Sequence, residues 1–276
     1  MQRLWRTSRR KGTWLSQELD AAAAAARAAG EVLRRGYGRE KTVRYKGVVD
    51  LVTEIDEESE QLVTGMLREA FPTYGVFGEE GARIPGEVDA RWIVDPLDGT
   101  TNYAHNFPFF AVSIALEKAG MLELGVVYNP VMEELFIGRR GGGATLNGGP
   151  LHVSKTDEML RALLATGFPY DRAAVPAALD AFARFTLRAQ GVRRAGSAAL
   201  DLCYVAAGRL DGYYERGIYP WDIAAGMVVL AEAGGRSTDF RGGPPDLEAR
   251  EIVASNGRIH DAMLETTSTW GAGSEG

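Results

Sequence analysis

The run Trp92-Ile93-Val94-Asp95-Pro96-Leu97-Asp98-Gly99-Thr100-Thr101-Asn102 constrains the fold more than any other part of the chain. Consecutive large apolar residues predict a buried strand, and this one runs directly into a carboxylate. Pro96 fixes the exit of the chain, and Asp98 follows at once, so both acids sit at one strand end. The Leu97 carbonyl between them can face the same side. Such a set of hard oxygen donors suits Mg²⁺ or Mn²⁺ rather than zinc. Gly99 lets backbone approach a ligand closely, and free amides of a helical turn opening at Thr100-Thr101 can cradle a phosphate. Metal ligands contiguous with a phosphate cradle are what two-metal hydrolysis of a phosphate ester requires.

The rest of the chain supplies a body for such a site. At 276 residues it can bury a large core, as one thick domain or two lobes. Ser16 can cap an alanine-rich helix from Gln17 to Arg35, and a second helix is expected from about Glu57 to Ala70. Strands follow at Arg91–Asp95, Phe110–Leu116, Leu122–Tyr128 and Glu134–Arg139, and Asn147-Gly148 marks a hairpin turn before Leu151–Ser154. The Gly141-Gly142-Gly143 run reads as a loop. From about Ala162 short strands and helices alternate: Leu163–Thr166, Val192–Arg194, Asp211–Glu215, Arg236–Asp239 and Ile252–Ala254 are the strands. The helices fall near Pro176–Gln190, Ala198–Ala207, Asp222–Ala233 and from Ile259. An α+β lobe over 16–158 and an α/β lobe over 159–268 are expected to form one catalytic unit, with a basic disordered tail over 1–15 and a frayed end over 269–276.

Composition narrows the chemistry. Basic residues number 31 and acidic ones 37, but Met1–Gly12 holds five basic residues and no acid, so the remainder is more acidic than the total of −6 suggests. Such a body argues against broad binding to a nucleic acid backbone. The single cysteine, Cys203, forms no internal disulfide and fits a reducing cytoplasm, where it reads as a small buried hydrophobe. No apolar run reaches the length of a membrane helix. His105, His152 and His260 lie in unrelated contexts, and no nucleophile elbow accompanies them.

Three further acidic elements stand out: Asp50 in Asp50-Leu51-Val52-Thr53, Glu79-Glu80 after Gly78, and Asp222 after Trp221. Together with the Asp95–Asn102 run, and in this order, they resemble the inositol monophosphatase family of Mg²⁺-dependent, lithium-sensitive phosphatases. Trp221-Asp222-Ile223-Ala224-Ala225-Gly226 matches the family's second signature, and the resemblance covers about Gln17 to Thr266. It implies an α/β fold of mixed α+β character, the layered α/β/α/β/α sandwich of the sugar phosphatases. It also implies a first metal on Glu79, Asp95 and the Leu97 carbonyl, and a second on Asp95, Asp98 and Asp222. Two or three Mg²⁺ per site are expected, with Mn²⁺ as a substitute and Li⁺ as an inhibitor. Thr100, assisted by Asp50, would orient the attacking water, while the Gly99 and Thr100 amides hold phosphate oxygens.

For the leaving group, Gly196, Ser197, Ala198 and Glu215 match the family's polyol segments, with Asp98 and Asp222 adjoining. Ser197 could equally cap a helix, and Glu215 could equally end a strand. A carboxylate suits a neutral polyol better than a second phosphate, so myo-inositol 1-phosphate leads, with fructose 1,6-bisphosphate and histidinol phosphate behind it. The resemblance suggests a cytoplasmic homodimer with no membrane role. Some bacterial members also bind transcription or ribosome-assembly machinery, and here only the basic N-terminal tail invites that alternative.

Overall fold

The computed structural model describes residues 6–39, 42–45, 47, 51–267 and 270, with the side chains of the first helix described from Ser16 onward. Asp50, residues 1–5 and most of residues 268–276 lie outside the described residues; residues 6–15, expected as part of a disordered tail, instead continue the first helix. Helix α1 spans Arg6–Gly36, so Ser16 lies within it and does not cap it as the sequence suggests. Ala22, Ala25, Ala26, Ala29 and Leu33 recur at helical spacing and are fully buried. Helix α2 spans Glu54–Ala70 and starts at a capping box, in which Thr53 Oγ1 accepts from the Ile55 amide and Asp56 accepts from the Thr53 amide. The others are α3 (Thr100–Ala104), α4 (Val175–Arg188), α5 (Ala198–Ala206), α6 (Pro220–Glu232) and α7 (His260–Thr267).

An eight-stranded sheet runs in the order Gly149–Pro150, Gly143–Leu146, Glu134–Arg139, Met121–Asn129, Ala111–Lys118, Ala90–Asp98, Gly75–Gly78, Arg83–Ile84. Its pairs are antiparallel except Gly75–Gly78 beside Ala90–Asp98. A five-stranded sheet runs Gly191–Arg193, Leu163–Thr166, Gly212–Arg216, Glu251–Ser255, Arg236–Thr238. Helices α1 and α2 pack on the larger sheet, α5 and α6 lie between the sheets, and α4 and α7 associate with the smaller one. The five layers are therefore the α/β/α/β/α sandwich. Helix α6 is buried from Ile223 to Leu230 on every side, as a helix sandwiched between two sheets must be.

Three local expectations are corrected. Leu151–Ser154 is not a strand: the Leu151 amide bonds to Ala144 and the Val153 amide to Ala233, and Asn147-Gly148 instead closes the hairpin of Gly143–Leu146 with Gly149–Pro150. The glycine run thus ends in a strand rather than a loop, because Ala144 has a buried place to fill. Near the C-terminus Trp270 is not frayed. Its ring lies 5.0 Å from that of Phe240 and 5.9 Å from that of Tyr214, burying a large apolar surface.

Candidate active site

The strand Ala90–Asp98 carries the site. Trp92, Ile93 and Val94 are buried on both faces, and the ladder to Ala111–Lys118 shifts register between Asp95 and Asp98. That irregularity frees the strand end to turn both carboxylates toward one cavity. Asp95 Oδ1 accepts from the Leu97 amide at 2.9 Å, and the Leu97 carbonyl lies 3.0 Å from the Thr100 hydroxyl. Gly99 has φ +96°, and a Cβ there would stand 3.0 Å from the Phe109 carbonyl, so both conformation and space favour glycine.

Asp98 joins the two halves of the chain. Its Oδ2 accepts from Ser197 Oγ at 2.6 Å and from the Ala199 amide at 2.7 Å, at the start of α5. Ser197 also accepts from the Leu200 amide, so it caps α5 while it faces the cavity. Asp222 comes from the first turn of α6, where its Oδ2 accepts from the Tyr219 amide at 2.8 Å. Carboxylate oxygens of Asp95, Asp98 and Asp222 all lie within 4.8 Å of one another.

Glu79 lines the same cavity from the end of Gly75–Gly78, with its amide bonded to the Val94 carbonyl. Its loop is held from behind by Glu60, whose carboxylate accepts from the Glu80 amide at 2.8 Å and the Ala82 amide at 3.0 Å. A Cβ on Gly78 would fall 2.2 Å from Glu60 Oε2, so glycine is what lets this brace close. Sequence reasoning missed Glu60, since nothing local to α2 reports a contact to a loop beyond it.

Burial, then Glu79, Asp98 and Asp222 push the Asp95 carboxyl well above the usual range; burial, then Asp98 and Glu79 do the same to Asp222. Burial pushes Asp98 up to about 6 against the opposing hydrogen bonds from Ser197 and the α5 amides. Mutual repulsion among hard oxygen donors fits a divalent cation.

Among the described residues Thr100 meets a carboxylate that the sequence reading did not single out. Its hydroxyl lies 2.9 Å from Asp56 Oδ1, whereas Asp50 lies outside the described residues. Asp56 is fully buried and its Oδ2 accepts from the Thr53 amide and, at 2.6 Å, the Thr53 hydroxyl. The signal was present in the sequence as Thr53-Glu54-Ile55-Asp56, a capping-box spacing.

Gly196, Ser197, Ala198 and Glu215 line the cavity with Glu79, Asp95, Leu97, Asp98, Gly99, Thr100 and Asp222. Glu215 ends the strand Gly212–Arg216, and its Oε2 accepts from Tyr213 at 2.5 Å. Burial pushes it up to about 7, opposed by the Tyr213 hydrogen bond and by Arg194.

The chain is 44% identical over 258 residues to inositol monophosphatase 3 of Solanum lycopersicum, covering 91% of this chain and 96% of that one. It is 45% identical over 256 residues to the Nus factor SuhB of Pseudomonas aeruginosa, covering 90% and 94%. The solved inositol monophosphatase of Anabaena (Nostoc) sp. PCC 7120 superposes with a TM-score of 0.82 at 44% identity, covering 91% and 95%. Fold and relatives together define a phosphoric monoester hydrolase of a metal-dependent kind. The model of the inositol monophosphatase family matches residues 14–270, and the chain belongs to that family.

Proposed function

We propose that this cavity hydrolyses the phosphate monoester of a polyol, with myo-inositol 1-phosphate as the leading substrate. The observation that carries the reading is the meeting of Asp95, Asp98 and Asp222 oxygens within 4.8 Å, beside Thr100 paired with Asp56. Glu79, Asp95 and the Leu97 carbonyl would hold one Mg²⁺, and Asp95, Asp98 and Asp222 a second, with Mn²⁺ as a substitute, room for a third ion, and Li⁺ as a competitor. When bound, such ions neutralise phosphoryl charge and make water more acidic.

The residues of the chain do the remaining work. Thr100 Oγ1 passes its proton to Asp56 Oδ1 as it takes one from the attacking water. The donors from Thr53 hold the Asp56 carboxylate in place. The Gly99 and Thr100 amides hold phosphate oxygens, and the leaving polyol rests on Gly196–Ala198 and Glu215. Water attacks phosphorus in line with the departing alkoxide, which takes its proton from solvent entering the cavity, so no phosphoenzyme forms.

A substrate panel with purified protein and Mg²⁺ tests the reading. Turnover of inositol 1-phosphate above all others supports it, while preference for fructose 1,6-bisphosphate or histidinol phosphate moves the assignment to that substrate. A cytoplasmic homodimer, as the family resemblance implies, is part of this reading; no described helix is long and apolar enough to cross a membrane.

A second role, accessory binding to transcription or ribosome-assembly machinery, is favoured by one observation: a relative bears the name Nus factor SuhB. Truncation of the arginine-rich start should then abolish salt-sensitive binding to RNA or polymerase while sparing phosphatase activity. Absence of such binding in the full chain removes this role.

A further inference from the structure

Asp201 lies on α5, one turn beyond Ser197, and is only 2% exposed. Its Oδ1 is buried with no hydrogen-bond partner, yet the residue lines the active cavity. A carboxylate oxygen shut away from water without a donor is destabilising. No step of the proposed hydrolysis uses it. We infer that Asp201 is a further substrate-binding residue, its free Oδ1 accepting a hydrogen bond from a second hydroxyl of the leaving polyol beside the one held by Glu215.

This inference rests on the reading of the cavity as a polyol phosphate site. Helical spacing sets Asp201 on the same face of α5 as Ser197 and Ala198, and all three line the cavity. Glu215 already spends Oε2 on Tyr213, so it has limited capacity for a ring bearing several hydroxyls. The charges on this wall choose the ligand. Arg194 lines it as well and disfavours an ammonium group, while Asp201 and Glu215 together disfavour a second phosphate. A neutral hydroxyl donor satisfies both conditions.

The test compares Asp201→Ala and Asp201→Asn in the full chain with Mg²⁺, using inositol 1-phosphate and 4-nitrophenyl phosphate, with melting curves alongside. In Asp201→Ala the ratio of the two kcat/KM values should shift about ten- to a hundredfold against the polyol substrate. Asn, which keeps a carbonyl acceptor, should recover part of the loss. Melting temperature should hold or rise, because a costly buried charge is gone. An unchanged ratio overturns the inference, as does a melting temperature that falls in both variants. Wild-type protein that hydrolyses the aryl ester but no polyol phosphate overturns the underlying function instead.

Discussion

Ser197 donates a 2.6 Å hydrogen bond to Asp98 across 99 positions of sequence, and the next helix amides reinforce it. The same carboxylate lies within reach of Asp95 and Asp222. One side chain therefore belongs at once to the carboxylate cluster, the start of α5 and the wall of the cavity. Changes at any of these places should be felt at the others, and the following outcomes are expected.

Asp95→Asn should lower Mg²⁺-dependent turnover by several orders of magnitude, because Asp95 is assigned to both cation positions. In metal-free buffer the same variant should melt higher than the parent, since one of several mutually repelling buried carboxylates is gone. Rates with Mg²⁺ and with chelator, beside calorimetry, check both. A near-normal rate would sink the two-ion assignment.

Asp56→Asn should lower kcat by about 10²- to 10⁴-fold with little change in KM, as expected for loss of a group that accepts a proton through Thr100. It should also cost about 1 kcal/mol of stability, because the capping box of α2 is weakened. Asp50→Asn serves as the comparison. If it, rather than Asp56→Asn, removes the rate, the water-orienting pair is not the one described.

Glu215→Gln should raise KM for inositol 1-phosphate and leave a small aryl phosphate nearly untouched. A hydrogen bond to a charged acceptor is worth roughly 1.5–3 kcal/mol, or about ten- to a hundredfold in kcat/KM. Equal losses on both substrates would place Glu215 in support of the fold or the cations.

His260 sets a limit on acid stability. Its Nδ1 lies 2.9 Å from Ser255 Oγ and its Nε2 2.9 Å from Thr238 Oγ1. Thr238 spends its own proton on the Asp239 carbonyl, so Nε2–H donates to it, and in the neutral ring Nδ1 accepts from Ser255 Oγ. Burial, then Arg236, lower the pKa from 6.5 to about 4. The neutral ring's contribution is complete above about pH 6.5 and is lost as pH falls toward 4. Melting temperature should drop through that window by on the order of 5 °C more in the parent than in His260→Gln. Parallel pH profiles for the two would contradict this.

Much of the site was legible because its residues come in short runs with strong local chemistry. Asp95 to Thr100 lie at a strand end announced by Trp92-Ile93-Val94, and Asp222 precedes the apolar helix it opens. Asp56 was also written locally, as the acid of a capping box, whereas the role expected of Asp50 came from the family resemblance and that residue lies outside the described ones. Trp270 was misjudged for the opposite reason: its polar neighbours suggest fraying, while its partners Phe240 and Tyr214 are remote in sequence. The strands Gly75–Gly78 and Gly143–Leu146 escaped notice because they are short and glycine-rich, and pairing with neighbours decides them.

Local pattern thus sufficed for the donor types and their order, since strand periodicity, turn residues and carboxylate spacing act over a few residues, whereas the layered class of fold followed only from the family resemblance. Tertiary structure alone assigned Asp56 to Thr100, Glu60 to the Glu79 loop, Ser197 to Asp98 and Asp201 to the cavity wall. Each of these depends on how two sheets and the helices between them stack. A hydrogen bond made or missed across such layers is fixed by packing that no local window of sequence contains.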